Sequence, residues 1–266
     1  MRISRRPDRE TGRGVDDDHV GTWIASDDGD RTIATATATR RADDRIFVRF
    51  EGDEADVDGW FERLLRSATE EIDEPICVTL RRDEEHRHQV TRRLGLRAEL
   101  TSVKYDVAFE TALRSLDRLA TSTRWRIVSA DEVDRDDLFH LDAELRGDTP
   151  GNDGWAGARN RFDDEMAAPE YDPTGYHVAV DPRTGRLVGL CRMWRNPDRP
   201  SLGLLGVVVE HRNGRLAWEL LRTTLAGAAD WGWLNFDFHT ARPGLQRHAG
   251  RLGATVSGGF TRYVGN

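Results

Sequence analysis

Apolar and polar positions change rhythm repeatedly along this chain, and each rhythm predicts an element. Alternation marks Gly21-Thr22-Trp23-Ile24-Ala25-Ser26-Asp27 and Gly175-Tyr176-His177-Val178-Ala179-Val180-Asp181 as strands. Each runs into a turn, Asp28-Gly29-Asp30 in one case and Pro182-Arg183-Thr184-Gly185 in the other. Helical spacing marks WFERLLRSA from Trp60 and WELLRTTLA from Trp218. Strands are also predicted at Ile76–Leu80 and Leu234–Phe238, and both lead toward an Arg-Leu-Gly triplet, Arg93-Leu94-Gly95 or Arg251-Leu252-Gly253.

These pairs are in register. Gly175 follows Gly21 by 154 residues; from Trp60/Trp218 onward the spacing is 158, and it holds through the triplets to Tyr105/Tyr263. Fixed-period similarity of this kind predicts two copies of one α/β unit. The second copy has an additional front piece. It consists of a strand (Trp125-Arg126-Ile127-Val128), a helix carrying Leu138, Leu141 and Leu145 with Asp131 or Asp134 as its cap, and a second helix from about Ala158 to Ala168. After it come strands at Tyr176–Val180, Leu187–Trp194 and Ser201–Val209, a helix at Leu216–Ala229, a strand at Leu234–His239, a helix at Leu245–Leu252 and a last strand at Gly259–Val264. Hairpin-joined strands beside a strand–helix–strand unit predict a mixed sheet. The expected organisation is a disordered tail over 1–19, a shorter first copy over 20–108, a connector over 109–122 and a second copy over 123–266.

Composition narrows the classes. At 266 residues the chain suits two domains, and 38% hydrophobic residues with 8 Trp support packed cores despite 32% charged residues. No apolar run reaches the roughly 18 residues of a membrane span. The basic but apolar-poor start predicts no signal peptide, so a cytoplasmic protein without a membrane partner is expected. Two cysteines, Cys77 and Cys191, make neither a disulfide framework nor a cysteine zinc site, and no metal is expected. A net charge of −8 argues against nucleic acid, which is held by neutralising phosphates. Lys104 is the only lysine, so the many Arg–Asp pairs reflect a composition bias and carry little information singly.

The chemically informative segment is Leu204-Leu205-Gly206-Val207-Val208-Val209-Glu210-His211-Arg212-Asn213-Gly214-Arg215-Leu216-Ala217-Trp218. An apolar strand enters a short basic loop that opens into an amphipathic helix. Free amides and the positive helix end then converge on one point, which suits a phosphate; an ordinary surface turn with two arginines has the same sequence. The strand order and VVVEHRNGRLAWELL resemble the GNAT acyltransferase superfamily, whose pyrophosphate loop follows Arg/Gln-x-x-Gly-x-Gly/Ala. Arg212 takes the first position and Ala217 the last, whereas Arg215 stands where the pattern has Gly. The repeat extends the resemblance to a tandem arrangement similar to that of mycothiol synthase, with an α/β (α+β) fold of two GNAT-like mixed-sheet domains, the first truncated and degenerate.

That resemblance implies acetyl-CoA as co-substrate and a small-molecule primary amine as acceptor. Backbone of Val207, Val208 and Val209 would hold the pantetheine arm, and amides of Arg212, Asn213, Gly214, Arg215, Leu216 and Ala217 the pyrophosphate. A strand amide would stabilise the oxyanion. In the first copy the matching loop, Glu54-Ala55-Asp56-Val57-Asp58-Gly59, follows Glu51-Gly52-Asp53; its carboxylates oppose a diphosphate, so that copy is expected to be free of CoA. His239, with Asp237 two residues back on the same strand face, is the candidate base, although both could instead simply satisfy neighbouring groups. The tyrosine acid common in the family is replaced by Ala249, with His248 adjacent. Tyr105 and Tyr263 suit a shared structural role, and Cys191 an inert one. The acceptor region implied by the family, Gly147–Trp155 with Asp163, Asp164, Glu165, Glu170, Tyr171 and Asp172, is acidic. It would favour a cationic amine, or it is a solvated acidic face. Two other classes remain open on the same scaffold: a non-catalytic acyl-CoA sensor or partner-binding module, and a binder of nucleotides or phosphosugars.

Overall fold

A computed structural model describes residues 1–6, 19–41, 44–52, 59–119, 125–149, 159–212, 215–240 and 243–265. In chain order the first elements are β1 (Arg2–Arg6), β2 (His19–Ser26), β3 (Thr32–Arg40), β4 (Ile46–Gly52), α1 (Trp60–Glu71), β5 (Ile76–Arg81), α2 (Glu85–Arg93) and β6 (Arg97–Ala108). They are followed by α3 (Phe109–Leu119), β7 (Arg126–Ser129), α4 (Arg135–Gly147), α5 (Arg159–Ala167), β8 (Tyr176–Val180) and β9 (Leu187–Trp194). The remainder is β10 (Ser201–Val207), α6 (Leu216–Gly227), β11 (Trp233–His239), α7 (Pro243–Leu252) and β12 (Thr255–Gly265). Among the described residues no helix is long and apolar enough to cross a membrane.

The chain divides into two units, and the division is not sequential. Unit 1 comprises 1–101 with 259–266, and unit 2 comprises 102–258. In unit 1 the strands run in the order β1-β2-β3-β4-β5-β12. Antiparallel pairing links β1 through β4, β4 and β5 are parallel, and β12 closes antiparallel on β5 from Phe260↔Arg81 to Gly265↔Ile76. Trp23, Ala36, Trp60, Phe61, Leu64, Leu65, Ile76 and Tyr263 fill its core. Unit 2 runs β6-β11-β10-β9-β8-β7, with β10 and β11 parallel and the other pairs antiparallel. Its mixed sheet packs α4 against β9 and β10, and α6 against β8, β9 and β10.

Three expectations are revised by this arrangement. The tail over 1–19 contains a strand: β1 pairs with β2 from Arg2↔Ser26 to Arg6↔Thr22, through backbone groups that the sequence RISRR does not advertise. Residues 7–18 lie outside the described residues. The connector over 109–122 is in part a core helix, because Phe109, Ala112 and Leu116 recur on one face of α3 and are buried in unit 2. The last strand, assigned to the second copy, supplies unit 1, and residues 102–108 of β6 supply unit 2 by pairing with β11. Period-two alternation identifies a strand but not the edge it joins, since pairing is a non-local choice.

Local rules account for the element ends. Gly95 and Gly253, the glycines of the two triplets, adopt φ of 89° and 77° after α2 and α7. The next amides reach back five residues, Leu96 N–H to Thr91 O at 3.2 Å and Ala254 N–H to Ala249 O at 3.0 Å. Both are Schellman caps, for which a left-handed residue is required and glycine is the cheapest choice. Asp134 caps α4 by accepting from Asp136 N–H at 2.9 Å and Asp137 N–H at 3.1 Å. Such a cap contributes about 1 kcal/mol.

Candidate functional site

In unit 2, parallel β10 and β11 are in register only at Ser201↔Asn235, where Asn235 N–H donates to Pro200 O at 2.9 Å. Beyond that point the strands run on to Val207 and His239 without further pairing, so an opening lies between their C-terminal halves. On its other side β10 stays paired with β9, from Leu204↔Arg192 to Val207↔Gly189. Val208 N–H donates to Val188 O at 3.0 Å, continuing that ladder. Antiparallel ladders alternate, so Leu205 and Val207 are the residues whose amide and carbonyl turn away from β9, toward the opening.

The expected cofactor residues are therefore not equivalent. Val207 faces the opening. Val208 is engaged by β9 and also accepts from His211 N–H at 2.9 Å, while Val209, exposed, starts a short 3-10 turn whose carbonyl accepts from Arg212 N–H at 3.3 Å. Leu205 was missed by the motif, which begins counting at the loop; strand alternation alone would have found it once the partner strand was known. Gly206, between them, permits the close approach of α4: a Cβ there would lie 3.0 Å from Leu145 Cδ1.

The strand leads to the start of α6, with Arg215 at the N-cap position and no side-chain cap. Trp218 and Glu219 amides bond to Arg215 O at 3.0 and 3.1 Å. Leu216 and Ala217 hold the first-turn amides that lack an intrahelical acceptor, and the helix dipole favours an anion there. Asn213 and Gly214 lie outside the described residues. Arg212 is folded back: its Nε donates to Val207 O at 2.9 Å and its Nη2 pairs with Asp148, at the C-terminal end of α4.

On β11, Leu234 and Phe236 are buried while Asn235, Asp237 and His239 share the other face. His239 is half-buried opposite Ser102, and Asp237 is exposed opposite Lys104. Asp237 and His239 are two residues apart on the same strand face, roughly 7 Å apart along the backbone. Ala249 is buried on α7. The neighbouring His248 meets Trp218 of α6 edge to face at 4.9 Å. Burial, then Arg251 and Arg247, holds the His248 imidazole below its ordinary range. Cys191 is buried, and burial pushes its thiol up to about 12.

The acidic set expected near the acceptor is largely paired within unit 2. Asp163 holds Arg135 and Arg159, and the Arg135 bond keeps its carboxyl below the usual range. Tyr171 donates to Asp131 at 2.6 Å, and Asp172 caps the turn at Pro173–Gly175 and pairs with Arg195. Glu165 belongs to a cluster in which Arg146 bonds Asp142 at 2.5 Å, while Arg192 Nη1 lies 3.0 Å from Asp142 and 3.2 Å from Glu165. Residues 150–158 lie outside the described residues.

No family model matches the sequence, and no curated protein matches it. Solved structures do. A GCN5-related N-acetyltransferase from Sphaerobacter thermophilus superimposes with a TM-score of 0.65 at 13% identity, over 92% of this chain and 80% of that one. A tandem GNAT protein from the clavulanic acid biosynthesis pathway gives 0.65 at 14% identity, over 92% and 82%. A GNAT-family acetyltransferase from Colwellia psychrerythraea gives 0.57 at 10% identity, over 92% and 85%. At these identities the likeness is one of architecture, and it establishes that this chain has the GNAT fold.

Proposed function

We propose that the chain is an N-acyltransferase that moves an acetyl group from acetyl-CoA to a primary amine of a small molecule, with a single donor site in unit 2. The observation that carries this reading is the opening between β10 and β11, lined by Leu205 and Val207 backbone and ending at the first turn of α6. An extended amide-containing arm would add to the β10 edge as a strand does, while Arg212, Arg215 and the Leu216 and Ala217 amides would take the diphosphate. Acetyl-CoA would supply an activated thioester; nitrogen–carbon bond formation then accompanies loss of the sulfur–carbon bond. His239 would accept the proton that the attacking amine gives up, directly or through one water. A strand amide turned into the opening would stabilise the oxyanion.

Unit 1 supports a single site and the reading of the chain as a tandem pair. There β4 and β5 pair at three successive positions, Ile46↔Ile76 to Val48↔Val78. The end of β4 is covered by Trp60, whose ring would stand 2.8 Å from a Cβ on Gly52. Arg87 stacks on that ring at 4.8 Å and is tied to Glu84 at 2.6 Å. Beyond Val48 and Val78 these strands also run on without pairing, to Gly52 and Arg81, so the Trp60 and Arg87 side chains beside Gly52, rather than the pairing, are what support a single site. Residues 53–58, with most of the opposing carboxylates, lie outside the described residues.

Calorimetric titration with acetyl-CoA tests the proposal, alongside an Arg212→Glu, Arg215→Glu double variant. One site per chain, lost in the variant, is the expected result; absence of binding to the wild type would refute it. A second reading, an acyl-CoA sensor without turnover, is favoured by Ala249, which puts a buried methyl where the resemblance implies a tyrosine acid. Thiol release during a screen of primary amines separates the two, because a sensor returns its ligand intact.

A further inference from the structure

The folded-back Arg212 has a consequence for the donor site that its sequence position does not suggest. Val207 O is one of the few strand groups turned toward the opening, and Arg212 Nε holds it at 2.9 Å. The same guanidinium reaches Asp148, the residue that ends α4. The Asp148 carboxylate therefore fixes Arg212 across the strand edge that an incoming amide would use. A diphosphate at the α6 N-terminus offers Arg212 a more highly charged, bidentate partner.

We propose that Asp148 is a positioning residue that competes with the cofactor diphosphate for Arg212; this inference rests on the donor-site reading given above. Binding transfers Arg212 from Asp148 to the diphosphate, frees Val207 O for the pantetheine arm and releases the end of α4. Donor binding is thereby coupled to the α4–α5 side of unit 2, ahead of the acceptor. Asp148 sets donor affinity without touching the donor.

The test is calorimetric titration of the full chain with CoA for four proteins: wild type, Asp148→Asn, Arg212→Gln and the double variant. An exposed ion pair of this kind predicts roughly two- to fivefold tighter CoA binding in Asp148→Asn. Arg212→Gln should weaken binding, and adding Asp148→Asn to it should then change nothing. Glu144→Gln, an equal charge change one turn earlier on α4, controls for long-range repulsion and should match wild type. Equal tightening by Asp148→Asn in both Arg212 backgrounds would reduce Asp148 to a through-space charge and overturn the proposal. Unchanged or weaker binding in the single variant would also overturn it. Wild type that binds no CoA defeats the donor-site reading itself, a distinct result. Far-UV circular dichroism of each variant verifies that α4 is intact.

Discussion

Replacing Arg192 by Met tests how the interior of unit 2 tolerates four ionised groups. Arg192 is 2% exposed on β9 and Asp142 3% on α4. Asp142 and Glu165 are each shared by Arg146 and Arg192. The cluster is neutral as it stands, two guanidiniums against two carboxylates. Arg192→Met keeps the aliphatic stem but leaves one buried negative charge in excess. Breaking a buried pair in this way costs about 3–5 kcal/mol. Arg146 still serves both carboxylates, which places the loss near the lower limit, about 3 kcal/mol. That corresponds to roughly a hundredfold shift in the ratio of folded to unfolded protein, or a fall in Tm of about 6–12 °C for a chain of this size. Asp142→Asn alone should cost a comparable amount, by leaving two arginines on one carboxylate. The double variant retains one arginine and one carboxylate, so its loss should fall well short of the sum, with a coupling of about 2–3 kcal/mol. Tyr176 sharpens the test: its hydroxyl is buried beside the cluster and has no hydrogen-bond partner among the described residues, so Tyr176→Phe should be neutral to within about 0.5 kcal/mol or slightly stabilising. Urea unfolding followed by tryptophan fluorescence reads all four variants. Additive losses, or a cost above about 1 kcal/mol for Tyr176→Phe, would refute the account of a mutually compensated cluster.

Three further outcomes follow from single positions. Gly206→Ala places a methyl against Leu145, 3.0 Å from Cδ1 and 3.1 Å from Cβ; it should cost about 1–3 kcal/mol and weaken acetyl-CoA binding, checked by thermal denaturation and titration. For His177, burial lowers the folded-state pKa below the unfolded value, against a raising effect from Glu132. The unfolded chain therefore binds more protons below about pH 6.5, and stability rises with pH through that window. Tm measured from pH 5 to 8 should show a flatter acid limb in His177→Asn than in wild type, and identical profiles would contradict this. Cys191, buried with its thiol pushed up to about 12, and Cys77, also buried, should resist Ellman's reagent at pH 8 until urea is added; rapid labelling of the native protein would refute their burial.

The signals that suggest a repeat were legible because each rests on local physics. Trp60 opens α1 and Trp218 lies in the first turn of α6, and the Arg-Leu-Gly triplets are helix ends whose glycines adopt positive φ in both units. Each feature is decided within a few residues. The last strands show where that reasoning stops. Tyr105 and Tyr263 occupy corresponding sequence positions, yet Tyr105 stacks on Phe236 at 5.6 Å in unit 2 and Tyr263 bonds His88 at 2.9 Å in unit 1. Both strands present an equally good apolar face, so nothing in either segment selects its partner. The reciprocal exchange becomes visible only when pairing is known.

The proposed donor site divides along the same line. A strand, a basic loop and a helix start can be read in order from VVVEHRNGRLAW; in the structure the helix starts at Leu216 as expected, whereas the strand ends at Val207, two residues before the expected Val209. Which backbone groups face the opening depends on β9, because Val188 O takes the Val208 amide and leaves Leu205 and Val207 turned the other way. Side-chain partners are still less local. Arg212 meets Asp148, 64 residues earlier, and Arg192 meets Asp142 and Glu165 on two different helices. In a chain with 39 basic and 47 acidic residues, sequence offers many equivalent partners for each arginine. Burial is what distinguishes them: an exposed pair such as Arg114–Glu110 contributes little, whereas the Arg192 cluster, out of reach of water, balances its charges internally. The same bias that empties a single Arg–Asp pair of meaning in the sequence makes the few buried ones the most informative charges in the fold.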